Sequence, residues 1–385
     1  MANHFGMPDH IVIGENALED AKVYLNDCGK KACIVTGKHV VKSDMMRKLL
    51  EALEACNISY VVFDGITGEP TDVMIEQGIR IYQENACDFC IGIGGGSPLD
   101  SAKAIAAMIT NEGSISDYMG SMITKKVPPI VAIPTTAGTG SEATKMTIVT
   151  DTKRNIKMLL KGDVLIPNLA IIDPTFTLSM SKSITAATGL DALTHAIESY
   201  TSKRAFCMTD TLAIASVKRI MKYLPLAYQN SKNTVAREQM AIASLEAGIC
   251  INNSSVTLVH GMSRPIGALF HIPHGLSNAM LLKDCLTFAL DGAYDRFATL
   301  GREIGVSDME DTDETAAKNF LEAIDKLCQV CEVPTFSSYG IEREDFYNKI
   351  DKMASDAIAS GSPANTRKQI TKEDIIGLYK NCFAL

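Results

Sequence analysis

The chain has 385 residues, of which 46% are hydrophobic and 21% charged, and it carries a formal net charge of −8 at neutral pH. That is the composition of an ordinary soluble globular protein without the basic excess needed to hold nucleic acid, and at ~150 residues per domain its length predicts two domains. The N-terminal MANHFGMPDHIVIGENALED has no basic segment or continuous apolar run, and no stretch reaches the ~18 apolar residues of a membrane span, so a cytosolic, membrane-free protein is expected.

From residue 31 the chain alternates between strand and helix: KACIVTGKH, then SDMMRKLLEALEAC, ISYVVFDGI, TDVMIEQGIRIYQENAC and DFCIGIGGG. Strands that are almost continuously apolar, joined through amphipathic helices, predict a parallel sheet covered on both faces, with ligands at the carboxyl ends of the strands. Cys87 and Cys90 lead into one strand, and a second CxxC pair, Cys328 and Cys331, lies about 240 residues further on, too far for a compact zinc module. The odd count of 11 cysteines reads as reduced thiols, most of them core residues, in a reducing compartment.

In IGIGGGSPLDSAKAIA, residues 91 to 106, a strand ends in glycines and opens into a helix. Gly94, Gly95 and Gly96 let backbone approach a pyrophosphate that a helix N-terminus attracts; Ser97 is the expected N-cap and Pro98 the expected first helical residue. The string is not GxGxxG, and the plainer alternative is a tight turn that needs positive φ. The next strand, PPIVAIPTT, ends in TTAGTGSEAT, whose Thr135, Thr136 and Thr139 supply a second loop on the same edge, although such clusters more often mark only a turn. After TIVTD, a turn at TKRN, IKMLL and NLAIID, the pattern changes near DPTFTL, residues 173 to 178. The domains are accordingly placed at 1–178, an α/β dinucleotide-binding domain, and 179–385, a helical domain in which apolar residues recur at three and four spacing.

The helical half holds the metal chemistry. In DALTHAIESY, Asp191 and His195 share one helix face; His260 begins what reads as a short connection rich in Gly and Pro, and His274 follows Pro273. Each histidine alone is more often a satisfied core or surface group, and His271 is read that way, but three His and one Asp in a chain of seven histidines point to a metal. Three imidazoles and a carboxylate without thiolates suit Fe²⁺ or Zn²⁺, which lowers the pKa of an alcohol oxygen and prepares its carbon to expel hydride. A dinucleotide and a divalent metal together suggest hydride transfer.

GGGSPLDSAK, IPTTAGTGSEAT, DALTHAIESY and HGMSRPIGALFHIPHG, in that order, resemble the iron-containing (group III) alcohol dehydrogenases over nearly the whole chain. The resemblance implies a dehydroquinate synthase-like fold: an N-terminal Rossmann-like parallel-sheet α/β domain and an all-α C-terminal domain, with the metal in the cleft between them. It also implies that Asp191, His195, His260 and His274 are the metal ligands. Gly94, Gly95, Gly96, Ser97, Asp100, Thr135, Thr136, Thr139, Lys157 and Leu178 match the positions that line the coenzyme. The implied reaction is NAD(P)-linked oxidation of a small primary alcohol or reduction of a short aldehyde, by a homodimer or larger homo-oligomer.

Two positions depart from the family pattern. Where NAD-preferring relatives often carry an Asp, this chain has Gly37 followed by Lys38; without a carboxylate to repel a 2′-phosphate, NAD(H) and NADP(H) both remain expected, unless Gly37 only serves a turn. Arg264 stands where many relatives have a histidine that borders the active site. It removes a proton relay and, if it faces the substrate, suits an anionic aldehyde. Glycerol dehydrogenase-like polyol oxidation and the NAD- and metal-dependent cyclase (lyase) chemistry of the same superfamily are the competing readings. A cyclase should show several basic residues for its phosphate, and only Arg264 is found.

Overall fold

A computed structural model describes residues 2–383. Six of the apolar runs become strands β1 (His10–Ile13), β2 (Lys31–Val35), β3 (Ser59–Phe63), β4 (Phe89–Gly94), β5 (Ile130–Pro134) and β8 (Leu169–Ile172), and every pairing among them is parallel. Their order across the sheet is β1-β8-β5-β4-β2-β3. Every residue of β4, β5 and β8 is buried, which is why those segments are apolar throughout instead of alternating. The remaining two strands, β6 (Met146–Asp151) and β7 (Ile156–Lys161), form a separate antiparallel hairpin, and the burial of β6 alternates as a one-sided strand requires. The helices of this half are α1 (Ala17–Asp20), α2 (Lys22–Cys28), α3 (Lys38–Val41), α4 (Asp44–Ala55), α5 (Asp72–Glu84) and α6 (Gly96–Thr110).

Chain direction marks the edge at which a sheet of this kind can take a ligand. From β2 the chain steps outward to β3 and then returns to the other side of β2 as β4, so the carboxyl ends of β2 and β4 flank a topological switch point, the place where open α/β sheets bind ligands. Gly37 and Lys38 follow β2, and the glycine loop follows β4.

Beyond the sheet the structure is helical: α7 (Lys182–Thr201), α8 (Cys207–Gln229), α9 (Thr234–Asn253), α10 (Leu258–Phe270), α11 (His274–Ala289), α12 (Tyr294–Glu303), α13 (Asp313–Val330), α14 (Arg343–Ala359) and α15 (Lys372–Asn381). The described residues separate into two compact units, His4–Ser179, and residues 180–383 together with residues 2–3. No single helix among the described residues is long and apolar enough to cross a membrane. All eleven cysteines are free thiols.

One expectation fails here. His260 does not open a Gly/Pro connection; it lies in the first turn of α10, with Gly261, Pro265 and Gly267 inside the helix. Pro265 removes one N–H whose acceptor would be the Gly261 carbonyl, a local loss that the burial of Leu258, Val259, Met262 and Ile266 outweighs.

Candidate active site

Helix α7 is buried almost continuously from Gly189 to Thr201, and it carries Asp191 and His195 one turn apart on one face. His260 comes from α10, and His274 is the first residue of α11, after Pro273 at its N-cap. Asp191 Oδ1 lies 3.9 Å from His195 Nε2, 3.6 Å from His260 Nε2 and 3.8 Å from His274 Nε2, and one ligand atom from each residue falls within 4.8 Å of all the others. Bonds of ~2.1 Å in tetrahedral geometry separate ligand atoms by roughly 3.4 Å, so the three distances from Asp191 exceed that spacing by a few tenths of an ångström, and the donor set is compact enough to close on a small divalent cation. The rings of His195 and His260 stack with centroids 4.6 Å apart.

A second layer of residues orients the cluster. Glu198 is three residues after His195 on the same helix and fully buried; its Oε2 lies 2.6 Å from His260 Nδ1, while its Oε1 accepts bonds from Thr257 Oγ1 at 2.8 Å and Val259 N at 2.6 Å. A carboxylate at Nδ1 fixes the proton there and leaves the Nε2 lone pair facing the cluster, the state a metal ligand needs. Burial alone would raise the Glu198 carboxyl, but His260 and the Thr257 bonds outweigh it and hold it below its ordinary range; His260 is correspondingly raised, against the desolvation that would lower it. Asp191 follows the same logic, with the three imidazoles overcoming burial to keep it ionised. Asn278, fully buried on α11, donates from Nδ2 to Asp191 Oδ1 at 2.7 Å. Desolvation, reinforced by His260, His195 and Arg264 and opposed by Asp191, keeps His274 neutral, although a third of its side chain is exposed; the positive N-terminus of α11 acts in the same sense.

The other unit assembles the coenzyme-type loops at the carboxyl edge of its sheet. Gly94 has φ +148°, a conformation side chains avoid, so the positive-φ turn is real. The helix start differs from expectation: Gly95 is the N-cap, Gly96 opens α6, Ser97 is its second residue and Pro98 its third, with no side-chain cap. Pro98 is tolerated because first-turn N–H groups have no intrahelical acceptor, and the same rule leaves the Gly96 and Ser97 amides for a ligand. Thr135 N binds Gly94 O at 2.8 Å, and Thr136 approaches Gly95, its nearest atom 3.6 Å from where a Cβ would be. A Cβ on Gly96 would lie 2.8 Å from Thr139 Cγ2, so the two loops touch.

The remaining candidates are placed as follows. Asp100 has both oxygens engaged, with Ser141 Oγ at 2.5 Å and Ile148 N at 2.9 Å. Lys157 pairs with Glu69 at 2.6 Å. Leu178, partly buried, follows the turn Pro174–Thr177 after β8. Gly37 caps α3 at φ −107°, and a Cβ there would meet Ile66 O at 2.9 Å, so close packing rather than a left-handed turn explains the glycine; Lys38 beside it is exposed.

Residues 8–174 match the model of the iron-containing alcohol dehydrogenases, and residues 185–383 match the C-terminal region of the Fe-containing alcohol dehydrogenase family. The chain is 33% identical to the NAD-dependent methanol dehydrogenase of Bacillus methanolicus, covering 99% of this chain and 100% of that one. The chain belongs to the iron-containing alcohol dehydrogenase family. Among solved structures, a 1,3-propanediol oxidoreductase superposes on this iron-type alcohol dehydrogenase with a TM-score of 0.95 at 31% identity, covering 100% of both chains. The sulfoacetaldehyde reductase of Bifidobacterium kashiwanohense in complex with NAD⁺ superposes at 0.89 and 29%, covering 99% of each.

Within the alcohol dehydrogenase, Arg264 sits one helical turn after His260 on α10. Its Nη1 donates to Ser362 Oγ at 3.0 Å, its buried Nε has no hydrogen-bond acceptor, and its charge is felt at His274. Sequence reading missed three residues: Glu198, Asn278 and Ser362. Glu198 was findable, because Asp191, His195 and Glu198 follow the i, i+4, i+7 spacing of one helix face. Asn278 depends on the contact of α11 with α7, and Ser362 on a bend after α14 that meets α10, and in both cases the partners are distant in sequence.

Proposed function

We propose that this enzyme is a metal-dependent, nicotinamide-linked alcohol dehydrogenase acting as the reductase of a short aldehyde, anionic aldehydes included. In this reading Asp191, His195, His260 and His274 hold Fe²⁺ or Zn²⁺, and the observation that carries it is the convergence of three Nε2 atoms on one carboxylate oxygen, with Glu198 setting the tautomer of His260. The ion supplies Lewis acidity that stabilises negative charge on the substrate oxygen during hydride transfer. Asn278 and Glu198 keep the ligands aimed, and His274, the most exposed of the four, faces the substrate. Gly95, Gly96 and Ser97 give their backbone to the pyrophosphate. NAD(H), used by the methanol dehydrogenase relative, is the expected coenzyme; the exposed Lys38 at the switch point, with no carboxylate at Gly37, also admits NADP(H).

Arg264 supports the anionic substrate. A guanidinium with a buried, unpaired Nε beside the metal ligands is suited to a carboxylate or sulfonate one or two carbons from the carbonyl. A similar enzyme reduces sulfoacetaldehyde.

The test is initial-rate oxidation of NADH and NADPH by the ferrous- or zinc-loaded enzyme over neutral and anionic short aldehydes, before and after chelation. Activity should vanish with chelator and return with metal. Arg264→Ala should lower kcat/KM for anionic aldehydes by about 10- to 100-fold, the worth of a charge-assisted hydrogen bond, and leave neutral ones within about threefold. Equal losses on both classes would remove the anionic reading and leave the dehydrogenase reading standing.

A further inference from the structure

Lys103 lies on the second turn of α6, and its side chain is 0% exposed, a placement that an ammonium ion reaches only when every donor is satisfied. Its Nζ donates to Thr144 O at 2.8 Å, Thr144 Oγ1 at 3.0 Å and Met146 O at 3.1 Å, three acceptors for three N–H bonds. The charges that face it are the carboxylates of Asp100 and Glu142, the latter 2% exposed. One turn earlier on α6, Asp100 ties the same segment down from another direction: Oδ1 to Ser141 Oγ, Oδ2 to Ile148 N, and its carbonyl to Thr147 Oγ1 at 2.8 Å. All these bonds run between the first two turns of α6 and residues 141–148, the stretch that continues the Thr135–Thr139 loop into β6.

The helix that begins in the glycine loop and the chain leaving the threonine loop are therefore joined by a buried polar network. At the ligand edge the two loops meet where Gly96 faces Thr139. Neither side chain of the network needs to reach a ligand in order to matter: it fixes the distance between two sets of donors.

We propose that Lys103 is a positioning residue for the coenzyme, holding the threonine loop in register with the N-terminus of α6 so that both contact the same dinucleotide. The inference rests on the reading that this edge binds the coenzyme. Removing the ammonium leaves the Thr144 and Met146 carbonyls without a donor and two carboxylates without a counter-charge, while the apolar core of β4 and β5 is untouched. The loop loosens, and the coenzyme must order it on binding.

The experiment compares metal-loaded wild type, Lys103→Met, Thr144→Val and Thr144→Ser by fluorescence titration with NADH and NADPH, by initial rates and by metal content. Lys103→Met should raise the coenzyme Kd and KM about tenfold or more, and Thr144→Val, which deletes one of the three acceptors of Lys103 and a long bond to Ser141 O, about threefold. Thr144→Ser keeps the hydroxyl and should stay near wild type. Aldehyde KM, kcat at saturating coenzyme and metal content should all remain within about twofold. Amide exchange should quicken in residues 139–146 and not in β4 or β5.

Should Lys103→Met fail to fold, the Thr144 pair decides. Unchanged coenzyme affinity in a folded variant, or a fall in kcat with affinity intact, overturns the positioning role. If wild type itself binds neither coenzyme, it is the reading of the edge that fails, a result distinguishable from either.

Discussion

Glu198 controls which nitrogen His260 offers. Its carboxylate accepts the Nδ1 proton and leaves Nε2 free; an amide in its place can donate to Nδ1 instead and turn Nε2 into an N–H that repels a cation. Glu198→Gln should therefore weaken metal affinity by about 10- to 100-fold, measured by chelator competition, while the fold persists; an unchanged affinity would show that His260 keeps its tautomer without help. At this scale the sequence was legible wherever one element carries the whole pattern. Asp191 and His195 share a single helix face, and Glu198 belongs to that face as well, but acidic residues are common on helices and its letter alone marks nothing. Arg264 was singled out by position, yet its partner Ser362 lies 98 residues away, and no local pattern announces it.

Among the elements, the approach of α11 to α7 places His274, the fourth of the proposed ligands. A Cβ on Gly275 would lie 2.3 Å from Ala187 O and 3.2 Å from Asp191 Cβ, so the helices touch backbone to backbone next to His274. Gly275→Ala has to push α11 away. It should destabilise the protein by about 1–3 kcal/mol and bring the bound metal below one per chain, read by thermal unfolding and metal analysis; full occupancy with unchanged stability would mean the helices yield freely. The strands were readable because strands buried on both faces are apolar along their whole length. Helix α10 looks like a connection in the sequence because Gly261, Pro265 and Gly267 are local breakers, and what keeps the helix is tertiary burial. Gly261 even needs its missing side chain, since a Cβ there would fall 2.7 Å from Pro363. The start of α6 lies two residues earlier for a related reason: the capping rule favours Ser97, but the helix begins inside the glycines, where a Cβ on Gly96 would meet Thr139 at 2.8 Å.

For the molecule as a whole, the buried charges of the sheet unit give stability an uncommon pH dependence. Burial pushes Glu142 up to about 7 from 4.5, with Lys103 opposing, so in the folded protein it holds a proton that the unfolded chain releases between those values, and its contribution to stability falls as pH rises through that window. Lys103 is pushed down to about 8 from 10.5 by burial, against Asp100 and Glu142, so between about 8 and 10.5 its own contribution to stability rises with pH. Glu142→Gln should match wild type near pH 4.5 in urea unfolding and exceed it near pH 7.5 by up to about 3 kcal/mol; a difference that does not change with pH would show Glu142 is ionised throughout. The two-part organisation was visible in the sequence as a change of hydrophobic period, whereas buried ionisable networks such as Lys103–Glu142 were not, because charged letters in a sequence look like surface. That organisation has a genetic side as well. The proposed metal ligands and their orienting partners Glu198 and Asn278 are encoded from codon 191 to codon 278, and the proposed coenzyme edge is complete by codon 178. One recombination event between them can bring a new coenzyme preference to an old substrate site without rewriting a single ligand.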